Sequence, residues 1–87
     1  MEKVFISNQI KLEILKICGL PANKPYNLSG DVTLDHLRLD EDGTLCRALE
    51  QKLQEIALDY KTGKVILHGD VTTYSSVNYC IKLVLAN

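Results

Sequence analysis

The sequence predicts an α+β domain, with two helix–strand–strand units forming one antiparallel sheet and two helices packed on one face. Three observations predict it. Two stretches carry helical apolar periodicity, and runs rich in β-branched residues follow each of them. The hexapeptide LSGDVT at 28–33 also returns as LHGDVT at 67–72, with five of its six letters kept 39 positions on.

The first helix is expected over residues 8–18. Ser7 can cap it, and Ile10, Ile14, Ile17 and Cys18 follow the spacing of one helical face. Gly19 and then Pro21 form a stop, because glycine accepts a left-handed cap and proline cannot continue the hydrogen-bond ladder. A strand competes for the same letters, since Ile10, Leu12 and Ile14 alternate with Lys11 and Glu13. The cap and stop favour the helix.

The second helix is clearer. RALEQKLQEIAL is built from strong helix formers, and Leu45, Ala48, Leu49, Leu53, Ile56 and Ala57 line one face. Asp40, Asp42 or Thr44 can cap its start. Its end is expected near Asp59. Residues 56–61 also alternate, so KTG before KVIL reads alternatively as a hairpin turn with Gly63 left-handed.

Shifted by 39 positions, Ile6 meets Leu45, Ile10 meets Leu49, Ile14 meets Leu53, and Cys18 meets Ala57. The chain thus reads as two copies of one unit, about 6–40 and 45–86, through duplication or convergent geometry. The two GDVT stretches are expected as equivalent strands. Leu28 and Leu67 would point inward, Gly30 and Gly69 would permit a bulge or close approach, and Val32 and Val71 would return to the core. A further strand is expected from His36 to Asp40 and another over 77–86. In the latter, Val77, Cys80, Ile81, Val84 and Leu85 also make a helical stripe, but β-branched and aromatic content favours strand.

At 87 residues the chain is expected to be one small domain, burying about 60–65 % of its unfolded surface. It is 46 % apolar and 24 % charged, so a folded globule is expected, and a net charge of −1 offers nucleic acid no general attraction. Ten basic residues are scattered, and Tyr26, Tyr60, Tyr74 and Tyr79 are not interleaved with them. No nucleic-acid partner is expected. Polar residues interrupt every apolar run near the N-terminus, so neither a signal peptide nor a membrane span is expected. Three widely spaced cysteines, Cys18, Cys46 and Cys80, suit buried thiols in a reducing compartment, and a cytoplasmic protein is expected.

Catalytic chemistry finds no support. Phosphate loop, nucleophile elbow, zinc-helix and dinucleotide motifs are absent. His36 and His68 lack metal-ligand spacing, and the cysteines occupy apolar positions where a thiol stays protonated. LDEDGT fails as a calcium loop, because Arg38 and Leu49 would take the first and last ligand positions. No catalytic residue, metal site or cofactor is expected.

Charge placement is the one local signal. Asp31, Asp35, Asp40, Glu41 and Asp42 face only Arg38 between residues 31 and 42, and this acidic patch could steer a basic partner. The competing view is a solvated loop at a helix start. The stretch GKVILHGDVTTYSSVNYCIKLV resembles the strand–glycine–strand–helix portion of BON domains, and that resemblance implies phospholipid binding; it carries no functional residue across. The leading expectation is a non-enzymatic protein–protein interaction module, whether adaptor, inhibitor or assembly subunit. Its alternative is a small-ligand or lipid-binding domain, with a Cys/His-dependent enzyme last. A homo-oligomer is expected through the apolar strand ending in CIKLVLAN.

Overall fold

The computed structural model describes residues 2–24, 27–37 and 44–85. Its helices are α1 (Glu2–Ile17), α2 (Thr44–Asp59) and α3 (Val77–Leu85), with one 3₁₀ turn at Leu34–Leu37. Each α-helix packs against the other two. Ile6, Ile10 and Ile14 of α1, Leu49, Leu53 and Ile56 of α2, and Val77, Cys80 and Val84 of α3 fill one core, which Leu34 and Val71 complete from the loops.

No strand occurs among the described residues, and the only extended pairing is an isolated antiparallel bridge between Thr33 and Ser76. The expected α+β sheet is therefore corrected to a three-helix globule. The physical reason lies in where backbone groups find partners. The first GDVT stretch turns its carbonyls onto a helix end: Val77 N donates to Val32 O at 2.9 Å, and Asn78 N donates to Gly30 O at 2.9 Å. These are two of the donors that the first turn of α3 cannot satisfy internally. Ser76 Oγ accepts a third, from Tyr79 N at 3.0 Å. The second GDVT stretch is held instead by side chains of α2.

The two stretches share letters but not backbone. Gly69 has φ +95°, whereas Gly30 lies outside the left-handed region. Leu67, expected inside, is exposed, and Val71 is fully buried. The helices do repeat in burial at the 39-residue spacing: Ile10 and Leu49 are both buried, as are Ile14 and Leu53. Their ends do not keep that spacing. Gly19 (φ +72°) and Lys61 (φ +54°), 42 positions apart, occupy the same left-handed cap after α1 and α2. Leu20 N bonds Leu15 O at 2.9 Å and Thr62 N bonds Ala57 O at 3.0 Å, closing the same motif twice.

Three local expectations are corrected as well. α1 begins at Glu2, so Ser7 lies inside the helix rather than capping it. Residues 77–85 are helical because the stripe of Val77, Cys80 and Val84 meets the core, while Tyr79, which a strand would have buried, faces outward. Without that strand, the expected self-association through it has no basis. The strand from His36 to Asp40 gives way to the 3₁₀ turn as far as Leu37, and its remainder lies outside the described residues.

At Gly30 the loop lies close against the Asn78 side chain of α3. A Cβ there would overlap the Asn78 side-chain amide, lying 2.5 Å from its Cγ. Gly30→Ala is expected to lower stability by about 1–2 kcal/mol, as overpacking of a filled site does. Removing the obstacle in Gly30→Ala/Asn78→Ala should recover about half or more of the loss, so a urea-denaturation double-mutant cycle reads the contact directly. Additive single losses would show that the loop, not the amide, takes up the strain.

Candidate functional site

Of the acidic residues singled out in the sequence, Asp31 and Asp35 are exposed on the loop beside α3. Asp40, Glu41 and Asp42 lie outside the described residues. The Thr33 hydroxyl donates to the Asp35 carboxylate and holds it below the usual carboxylate range, with His36 assisting from 3.2 Å. Thr33 Oγ1 is also 2.7 Å from His36 Nδ1. Hydroxyl, imidazole and carboxylate in mutual contact invite a catalytic reading, yet all three lie within four consecutive residues at the start of an exposed 3₁₀ turn. His36 N bonds Thr33 O at 3.1 Å, which makes Thr33 the cap of that turn. The cluster is structural.

Backbone pairing carries this acidic loop to a second surface. Leu34 N donates to Ser75 O at 2.9 Å, and Asp35 N donates to Thr73 O at 2.7 Å. Tyr74, Ser75 and Ser76 form one wall of a cleft of about 470 Å³, whose lining also includes Asp70, Thr72 and Tyr79. Tyr74 is 80 % exposed and Tyr79 44 %. Neither phenol has a hydrogen-bond partner among the described residues.

The cleft wall is braced beneath them. Thr72 N donates to Ser75 Oγ at 3.0 Å, Tyr74 N donates to Thr72 Oγ1 at 3.3 Å, and Ser75 N donates to Thr72 O at 3.0 Å. Asp70 Oδ2 accepts Leu67 N at 2.7 Å and ties down the turn before it. Tyr74 thus stands on a turn whose backbone is already paired and Tyr79 on the first turn of α3, so both need little ordering to bind.

The turn at 67–71 is fastened to α2 by one carboxylate. Glu50 is buried, and its Oε2 accepts Gly69 N at 3.0 Å and Val71 N at 2.9 Å. Arg47 Nη2 donates to the same oxygen at 2.9 Å and to Val71 O at 2.7 Å. Arg47 Nε sits 2.8 Å from Glu50 Oε1 as an ion pair without an aligned hydrogen bond, and Nη1 meets His68 Nε2 at 3.1 Å. Two backbone amides converging on one oxygen make an anion nest, which the chain fills with its own side chain.

The cysteines are inert by environment. Burial pushes the Cys80 thiol up to about 12, and burial likewise raises Cys18 and Cys46. Among the described residues, no three His, Cys, Asp or Glu side chains are grouped to hold a metal ion, and no helix is long and apolar enough to cross a membrane.

No family model, no curated protein and no solved structure matches the chain. The site therefore rests on its own geometry. The tyrosine cleft was missed in the sequence because Tyr74 falls there in the connection between two expected strands and Tyr79 in the second of them, over 77–86. Its compositional signal, Tyr and Ser crowded into TTYSSVNY, was nevertheless present.

Proposed function

We propose that this chain is a non-enzymatic protein-interaction module that presents the Tyr74–Tyr79 cleft to a basic surface of a partner protein. The observation that carries the reading is the pair of exposed tyrosines lining one cleft, Tyr74 on a braced turn and Tyr79 on the first turn of α3. Tyrosine supplies a large contact area, and a phenol free to exchange water for a partner group, for little loss of side-chain freedom. The sign of the partner follows from charge. Among the described residues Asp70 is the only charged one lining the cleft, and Asp35 is tied by its backbone to Thr73, next to the cleft-lining Tyr74. An arginine or lysine arriving there meets carboxylates and the faces of aromatic rings together.

The test is affinity capture from native lysate with the wild-type chain and with Tyr74→Ala/Tyr79→Ala, followed by binding measurements on any stoichiometric protein recovered. The double variant is expected to bind at least about 10-fold more weakly with its thermal midpoint unchanged, as loss of hot-spot aromatics does. Asp31→Asn/Asp35→Asn should slow association, and less so at 1 M salt, where the Debye length is about 3 Å. Recovery of lipid in place of protein, or equal capture by the tyrosine variant, would overturn the reading.

A further inference from the structure

The segment after α2 carries a second surface, independent of the tyrosine cleft and of opposite charge. Residues 62–67 follow the cap of α2 with neither helix nor strand, turning at Gly63 (φ +81°), and residues 64–66 run beside α2. One edge of this segment is closed by a side chain acting as a neighbouring strand would. Ile66 N donates to Gln54 Oε1 at 2.8 Å, and Gln54 Nε2 donates to Lys64 O at 3.4 Å. The opposite edge is open. Val65 N–H and C=O have no hydrogen-bond partner among the described residues.

Next to this open edge lies a cleft of about 330 Å³ lined by Ala57, Leu58, Lys61, Gly63, Lys64 and Val65, together with Gln54. Leu58 and Val65 are 68 % and 69 % exposed. Single exposed leucines are ordinary on protein surfaces, but here two large apolar side chains flank one cleft beside unpaired backbone. Among the described residues the only charges lining it are the Lys61 and Lys64 ammonium groups, and neither joins an ion pair there. Lys61 moreover holds a left-handed φ of +54°, where glycine would be less strained. A cation is kept at the rim of the cleft at some conformational cost.

We infer that the Val65 edge accepts an extended, acidic segment of a partner protein as an added strand. Main-chain bonds to Val65 N–H and C=O supply the register. An apolar side chain enters the cleft between Leu58 and Val65, and carboxylates on the segment meet Lys61 and Lys64. The occupant is extended because an open backbone edge selects a strand, and acidic because the lining offers only positive charge.

Two blocked peptides, acetyl-Val-Glu-Val-Glu-Val-Glu-amide and its lysine counterpart, serve as probes, read by amide resonances and hydrogen exchange of the full chain. The glutamate peptide is expected to shift Leu58, Lys61, Lys64 and Val65 and to slow exchange at Val65, with affinity at least about 10-fold above the lysine peptide. Val65→Pro removes an N–H that the fold does not use, so the thermal midpoint should hold while affinity falls at least about 10-fold. Should that variant fail to fold, Lys61→Glu/Lys64→Glu decides instead, and it is expected to reverse the preference between the peptides. Equal binding of both peptides, or undiminished binding to folded Val65→Pro, would overturn the inference. Concentration-dependent shifts at these residues without peptide would overturn it too, by assigning the edge to a second copy of the chain.

Discussion

Glu50→Ala is expected to lower stability by about 3–5 kcal/mol, the range for breaking a buried ion pair on one side. A domain of this size holds roughly 5–15 kcal/mol in all, so the thermal midpoint should fall by at least about 12 °C. Three groups lose their acceptor together. The amides of Gly69 and Val71 are left facing a void, and Arg47 keeps its charge with the carboxylate gone. Glu50→Gln is the informative companion. Its carbonyl oxygen can still accept from both amides, while its NH2 replaces the oxygen facing Arg47 Nε, so the ion pair is lost but the nest stays filled, and the loss should be about half as large. Urea denaturation gives the stabilities, and hydrogen exchange at Gly69 and Val71 locates the damage. A Glu50→Ala protein within about 1 kcal/mol of wild type would mean that the turn stands without its anchor.

Alkaline pH is expected to unfold the chain through its thiols. Folded Cys80 titrates near 12, whereas an unfolded cysteine titrates near its ordinary value of 9.0. Between these values the unfolded state has released a proton that the folded state still holds. Unfolding then releases protons, so stability falls as pH rises. The contribution is fully present below 9.0, declines by about 1.4 kcal/mol per pH unit above it, and is gone near 12. At pH 10.5 Cys80 alone should account for about 2 kcal/mol. Cys18 and Cys46 are raised in the same direction by the same cause, burial, and steepen the decline. Urea denaturation at pH 7 and 10.5 on wild type and Cys80→Ala isolates the effect from the tyrosines and lysines. The variant starts weaker at pH 7, because it loses packing, but should lose less on going to pH 10.5. Parallel declines in the two proteins would place Cys80 outside the linkage.

The parts of the fold that the sequence made legible are those that local rules decide. Gly19 caps α1 in the left-handed conformation, α2 ends at Asp59, and Leu49, Leu53, Ile56 and Ala57 face the core. The cap and end signals lie within a few residues of the structure they set, and up to Glu55 α2 shows the helical period alone. Residues 77–85 failed because two periods fit the same letters, and β-branched content was a weak arbiter between them. The helical stripe of Val77, Cys80 and Val84 was visible, but only a surface waiting to be covered could select it. Of the acidic patch, Asp31 and Asp35 stand exposed beside the tyrosine cleft, an adjacency that depends on loop pairing with residues 73–75.

By itself the sequence determined the middle and end of α1, the extent of α2 and the apolar faces they bury, because propensity and 3.6-residue periodicity act over a few turns of chain. It did not determine the start of α1 at Glu2. Only the tertiary structure decided what the two GDVT stretches are. Their letters suit a sheet, but a strand requires a neighbouring strand, and here the available neighbours were helices. One stretch satisfies the open N–H groups at the start of α3, and the other closes on the buried Glu50 carboxylate. Backbone groups pair with whatever the assembled core leaves within reach, and that inventory exists only once distant segments have met.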